Sequence, residues 1–188
     1  LATSTREVID LLDAAGFERI LIETVGVGQS ELDVARMADT TLLVLVPESG
    51  DGIQTLKSGV MEAADIFAVN KADRPGADKL RREIEVTLGI RRGNAYRNVP
   101  AHHGGLAGKR AEPAPAPAGW EHPVVLTVAA KGEGLDELLA ALDRHHEWLV
   151  RTGALDGRRR RRMLERTREV VDRAARRWMW SETQAEQV

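Results

Sequence analysis

Apolar and polar positions follow two rhythms along this chain, and the switches between them mark its elements. Val8, Leu11, Leu12 and Ala15 recur at helical spacing and predict a helix from Thr3 to Ala15, capped by Thr3 or Ser4, with Glu7 three residues after Ser4 in a capping-box pattern and Gly16 ending it. Four short apolar runs read as buried strands: Arg19 to Glu23, Thr40 to Val46, Ile66 to Asn70 and Val124 to Val128. Helical patterns fill the intervals at Glu31 to Met37, Val60 to Ala64, Ala77 to Leu88 and Leu135 to Val150. This alternation with short connections predicts an α/β fold, a three-layer, mostly parallel sheet. A last helix from about Arg158 to Trp180 carries Leu164, Val171 and Trp178 seven apart, an apolar seam whose face needs a partner. The expected division is an α/β domain over 1–152 and, over 153–188, a C-terminal helix with a polar tail, acting as a dimerisation arm.

Two stretches break the pattern. Pro47 to Lys57, with its proline, glycines and acids, reads as a loop. Asn98 to Pro123, where Pro113, Pro115 and Pro117 alternate with alanine, reads as an extended surface insertion. Within it Gly104 to Arg110 imitates a phosphate loop. The first glycine of that motif would fall on His103, position 110 is arginine rather than Ser or Thr, and no strand precedes it, so the match is rejected.

Composition narrows the function classes. At 188 residues the chain can bury one substantial core. A net charge of −2 gives no bulk signal for nucleic acid. With no cysteine, disulfides, thiolate metal sites and thiol catalysis are excluded. No apolar run reaches about 18 residues, so no membrane span is expected, and the expected setting is cytoplasmic. The chain starts at Leu1, inside patterned sequence, and is read as a fragment or a processed product.

The chemistry collects at the strand ends, where parallel α/β sheets bind ligands. After Arg19–Glu23, Glu23 stands where a carboxylate can hold a water on Mg²⁺, and Gly26 lacks a Cβ, so its N–H can approach a terminal phosphate. After Ile66–Asn70 comes Asn70-Lys71-Ala72-Asp73, a guanine-reading pattern. The aspartate accepts from the ring N1–H and the 2-amino group, the asparagine accepts or donates near N7 and braces the neighbouring loop, and the lysine stem packs on the ring. After Val124–Val128, Ala129-Ala130-Lys131 supplies an N–H at Ala130 for the guanine carbonyl and a second lysine for the other ring face. Three such motifs in this order predict a GTP-binding domain.

The same residues resemble the GTPases associated with methylmalonyl-CoA mutase, the MeaB/ArgK/MMAA group. The resemblance rests on Glu23 to Glu31, on Gly50-Asp51-Gly52-Ile53-Gln54 to Lys57, on Glu62 to Asp65 and on Asn70 to Asp73. It implies a P-loop GTPase fold, GTP/GDP and Mg²⁺ as ligands, and catalytic positions at Glu23 and Gly26. It implies a switch or partner segment that includes Gln29, Asp51, Gln54 and Lys57. It further implies a chaperone that gates adenosylcobalamin loading and protects an adenosylcobalamin-dependent acyl-CoA mutase. The family's P-loop pattern, G-x-x-x-x-G-K-[ST], does not occur in the sequence, so the chain alone is expected neither to bind GTP tightly nor to hydrolyse it. Val27 stands where many G proteins have a water-orienting glutamine, which predicts slow turnover accelerated by a partner. A nickel-group metal-insertion GTPase and a non-catalytic interaction module are the alternative readings.

Other candidates read as structural. His102-His103 and His145-His146 are adjacent pairs without a supporting cluster, and solvent-exposed or helix-surface positions are expected. From Arg158 to Arg177 ten arginines face three acids, Glu165, Glu169 and Asp172. A solvated face, or docking on an acidic surface of the same oligomer, is expected there rather than DNA binding, because no aromatic residues interleave with the arginines.

Overall fold

A computed structural model describes residues 3–24, 36–47, 60–91 and 119–185. Its strands are β1 (Leu42–Leu45), β2 (Ile66–Asn70) and β3 (Val124–Thr127), in the order β1-β2-β3 and all parallel. The helices are α1 (Thr3–Ala14), α2 (Val60–Ala63), α3 (Ala77–Arg91), α4 (Leu135–Arg151) and α5 (Ala154–Ala185). Each parallel pair needs a crossover that returns the chain to the same sheet end, and α2 and α3 lie in those two connections.

β2 is the central strand because its residues can be buried on both faces. Phe67 and Val69 point into a core with Leu43, Leu45 and Val124, covered by Met61 and Ala64 from the α2 side and by Leu80, Ile84 and Leu88 of α3. Ile66 points the other way, with Val125, onto Ala141, Leu138 and Leu142 of α4 and onto Trp120. The period-2 alternation of the strands thus feeds two helical layers. Phe67, Ile66, Val69 and Ile84 have no exposed surface, and truncating one such side chain to alanine costs about 2–5 kcal/mol.

The described chain departs from the sequence expectations in several places. Arg19 to Glu23 is not a strand: it runs as irregular chain, with Leu21 94% exposed. A strand needs a ladder partner for its backbone groups, and among the described residues the sheet has none beside this segment. β1 is less buried than its apolar run suggests: Leu43 and Leu45 enter the core and Leu42 packs partly buried against the layer on the other face, but Val44 is half exposed. The last helix begins at Ala154, four residues ahead of the expected start, directly after the break at Thr152-Gly153, where Gly153 takes φ +69°.

His145 is a further correction. It is fully buried, not on the helix surface. Its Nδ1 lies 2.9 Å from Thr40 Oγ1, and its ring packs against both Trp120 and Trp148 at centroid distances of 4.7 and 5.8 Å, with the two indoles 5.9 Å from each other. The arginine run of α5 docks on acids of its own chain: Arg158 on Asp65, Arg159 and Arg162 on Asp39, Arg166 on Asp10.

Candidate nucleotide site

The ladder pairs Asn70 with Thr127, so the loops that leave β2 and β3 start side by side. Ala72 N–H donates to the Thr127 carbonyl at 3.0 Å, and Arg74 N–H closes a turn on the Lys71 carbonyl at 3.0 Å. Within that turn Lys71 holds φ +57°, a left-handed conformation that costs a side-chain-bearing residue about 1 kcal/mol. Such strain is characteristic of ligand-binding loops.

The second loop is equally constrained. Ala129–Lys131 form one 3-10 turn, with Lys131 N–H on the Val128 carbonyl at 2.8 Å and Gly132 N–H on the Ala129 carbonyl at 3.2 Å. Val128 N–H then takes the Glu133 carbonyl at 3.0 Å, folding the loop back on its own strand. Gly134 makes this fold possible. At φ +75°, a Cβ there would lie 2.1 Å from the Leu126 carbonyl oxygen.

The two loops are joined by side chains. Asn70 Oδ1 accepts from Ala129 N–H at 3.1 Å and from the Thr127 hydroxyl at 3.3 Å. Lys131 Nζ lies 3.0 Å from Asp73 Oδ2. That hydrogen bond holds the Asp73 carboxyl below its ordinary range and raises the Lys131 ammonium above its own. Both side chains are exposed, so the pair orients the groups more than it stabilises the fold. Ala129 and Ala130 are exposed beside them. The structure therefore brings together Asn70, Lys71, Asp73, Ala129, Ala130 and Lys131 at adjacent strand ends.

Of the remaining sequence candidates, Glu23 lies exposed at the end of the irregular segment. Gly26, Gln29, Asp51, Gln54 and Lys57 lie outside the described residues. Among the described residues no three His, Asp or Glu side chains converge as a cation shell. Glu23 alone does not make an Mg²⁺ site. No described helix is long and apolar enough to cross a membrane. Sequence reasoning missed Thr127, because a threonine inside an apolar strand reads as β-branched filler. It also missed Gly134, although a second glycine two residues after Gly132 hints at a tight loop.

Residues 1–184 match the family described as methylmalonyl Co-A mutase-associated GTPase MeaB. A protein of Mycobacterium tuberculosis named a probable GTPase is 39% identical over 181 residues, which cover 95% of this chain and 47% of that protein. The mouse protein named methylmalonic aciduria type A homolog, mitochondrial, is 31% identical over 179 residues, covering 95% and 35%. GTPase ArgK of Escherichia coli is 47% identical over 68 residues, covering 36% and 20%. The chain spans about half the length of the mycobacterial relative. With its parallel α/β sheet and with loops braced at the ends of β2 and β3, this chain belongs to the MeaB family of methylmalonyl-CoA mutase-associated GTPases.

Proposed function

We propose that the loops after β2 and β3 form the base-reading half of a GTP/GDP site. On this reading the whole protein is a GTPase whose nucleotide cycle gates adenosylcobalamin loading and protects an acyl-CoA mutase. The observation that carries the reading is the pair of cross-loop links, Asn70 to Ala129 and Asp73 to Lys131, in a chain of this family. Asp73 offers two acceptor oxygens to the guanine N1–H and 2-amino group. Ala130 N–H serves the ring carbonyl, and the Lys71 and Lys131 stems cover the two ring faces. Glu23 and Gly26 are assigned to the terminal-phosphate end, and Gln29, Asp51, Gln54 and Lys57 to the surface that senses the phosphate and meets the mutase.

The oligomer is part of the proposal. Leu164, Val171 and Trp178 are 55, 59 and 62% exposed, on a side of α5 roughly opposite Arg158 and Arg162. A homodimer through residues 158–180 would cover that stripe.

The test is GTP hydrolysis by the full-length protein, with and without an adenosylcobalamin-dependent mutase. Slow basal turnover that rises on adding the mutase is expected, and Lys57→Ala should lower the rise while leaving GTP affinity intact. Fast turnover indifferent to the mutase would contradict the proposal.

A further inference from the structure

We propose that Thr127 is a positioning residue that fixes which edge of Asn70 faces a bound purine. The proposal rests on the guanine-site reading above. Thr127 is 3% exposed and stands opposite Asn70 in the ladder. Its hydroxyl donates to Asn70 Oδ1 at 3.3 Å, and its carbonyl accepts Ala72 N–H at 3.0 Å. One buried residue therefore holds both ends of the Asn70–Ala72 turn.

The amide orientation follows from the donors. Ala129 N–H can only donate, so the atom 3.1 Å from it must be the amide oxygen of Asn70. With the Thr127 hydroxyl as a second donor, both lone pairs of that oxygen are used. What Asn70 has left for a ligand is its NH₂ group, a donor. A guanine presents N7 as an acceptor on its imidazole edge. Without the hydroxyl, Oδ1 keeps one donor, the amide is free to swing about that bond, and its NH₂ loses its fixed direction.

The test reads that one contact. The full-length protein, Thr127→Val and Thr127→Ser are titrated with GDP, 7-deaza-GDP and inosine diphosphate. The first analogue lacks N7, and the second lacks the 2-amino group that Asp73 reads. The wild type should bind 7-deaza-GDP about five- to tenfold more weakly than GDP, the scale of one hydrogen bond. In Thr127→Val that ratio should fall to near one while the inosine ratio stays at its wild-type value, and Thr127→Ser should restore the first ratio. Thr127→Ala carries the same reading if the valine form does not fold. An undiminished 7-deaza ratio in a folded variant overturns the role of Thr127. A wild type that binds no guanine nucleotide removes the guanine-site reading, and this proposal with it.

Discussion

Arg158 closes both of its terminal nitrogens on Asp65, Nη2 to Oδ1 at 2.9 Å and Nη1 to Oδ2 at 3.1 Å, and so joins α5 to the foot of the central strand. Asp65 is buried and immediately precedes β2. Its Oδ2 also accepts Thr41 N–H at 2.9 Å, and its carbonyl accepts Trp120 Nε1–H at 2.7 Å. Arg158 Nη1 further donates to the Asp39 carbonyl at 2.8 Å, and Arg162 to the Ala38 carbonyl at 2.7 Å. The first turns of α5 thus hold the chain just ahead of β1. Thr40, His145 and Asp65 have the connectivity of a hydroxyl–imidazole–carboxylate relay, but His145 has no exposed surface and its Nε2 stands 3.4 Å from Asp65, a contact without a hydrogen bond. The cluster is structural.

Removing Arg158 leaves a buried carboxylate with too few donors. Arg158→Ala should cost about 2 kcal/mol, below the range for fully buried pairs because Arg158 keeps a third of its surface. Arg158→Lys should recover only part of this, since one ammonium cannot fork across two carboxylate oxygens and the Asp39 carbonyl. Urea unfolding measures both. A midpoint unchanged in Arg158→Ala would show the contact to be ornamental.

The same cluster sets a pH dependence. Burial, the largest influence, pushes His145 below its ordinary value of 6.5. Asp65 pulls it up, and Arg158, His122 and His146 push it down. The folded state therefore keeps the ring neutral at a pH where the unfolded chain takes a proton. Stability is unaffected above about 6.5 and falls as pH drops from there toward the folded value, with a slope of up to about 1.4 kcal/mol per pH unit. His145→Gln should flatten that part of the curve. Asp39 acts in a more acid window. Burial raises it, but hydrogen bonds from Arg159 and Arg162 outweigh burial and hold it below 3.8, so its contribution is present above that value and lost as pH falls through the lowered one. Parallel pH–stability curves for wild type and His145→Gln between pH 5 and 7 would refute the His145 assignment.

How far these features could be read from the sequence depends on whether their causes are local. Ile66–Asn70 is legible because all of its side chains before Asn70 are apolar and a short turn leads from it to the helix at Ala77. Asn70, Asp73 and Lys131 were legible because a short strand-end motif fixes its own geometry. Arg19–Glu23 has the same apolar texture, but a strand is completed by its neighbour, and the apolar pattern carries no record of that neighbour. The burial of His145 and the particular partner of Arg158 are not legible, for a related reason. Their partner, Asp65, lies about 80 or more residues away in the chain, and an arginine run looks the same whether it faces water or an aspartate.

Gly134 and Gly132 form a matched pair for the loop after β3. Both have positive φ, but a Cβ at 132 meets nothing within 4 Å, whereas one at 134 strikes the Leu126 carbonyl. Gly132→Ala should cost about 1 kcal/mol, the left-handed penalty alone. Gly134→Ala should cost at least about 2 kcal/mol and weaken nucleotide binding by displacing Ala129–Lys131. Thermal unfolding with nucleotide titration separates the two, and equal costs would mean that the backbone contact is not close.

For the arm, Leu164→Glu with Val171→Glu should convert a dimer to a monomer in sedimentation without lowering the unfolding midpoint of the α/β domain. The reason is that the arginines, not this stripe, dock α5 on its own domain. A mutant whose mass is unchanged at micromolar concentration would contradict the proposed interface.

The most direct test of the guanine site is calorimetry of Asp73→Asn in the full-length protein with GTP and xanthosine triphosphate. An asparagine offers one acceptor and one donor where the aspartate offers two acceptors. GTP binding should weaken by about 2–4 kcal/mol, and xanthosine triphosphate, with a carbonyl in place of the 2-amino group, should become the better ligand. Unchanged GTP affinity in Asp73→Asn would contradict the placement of the base between the loops after β2 and β3.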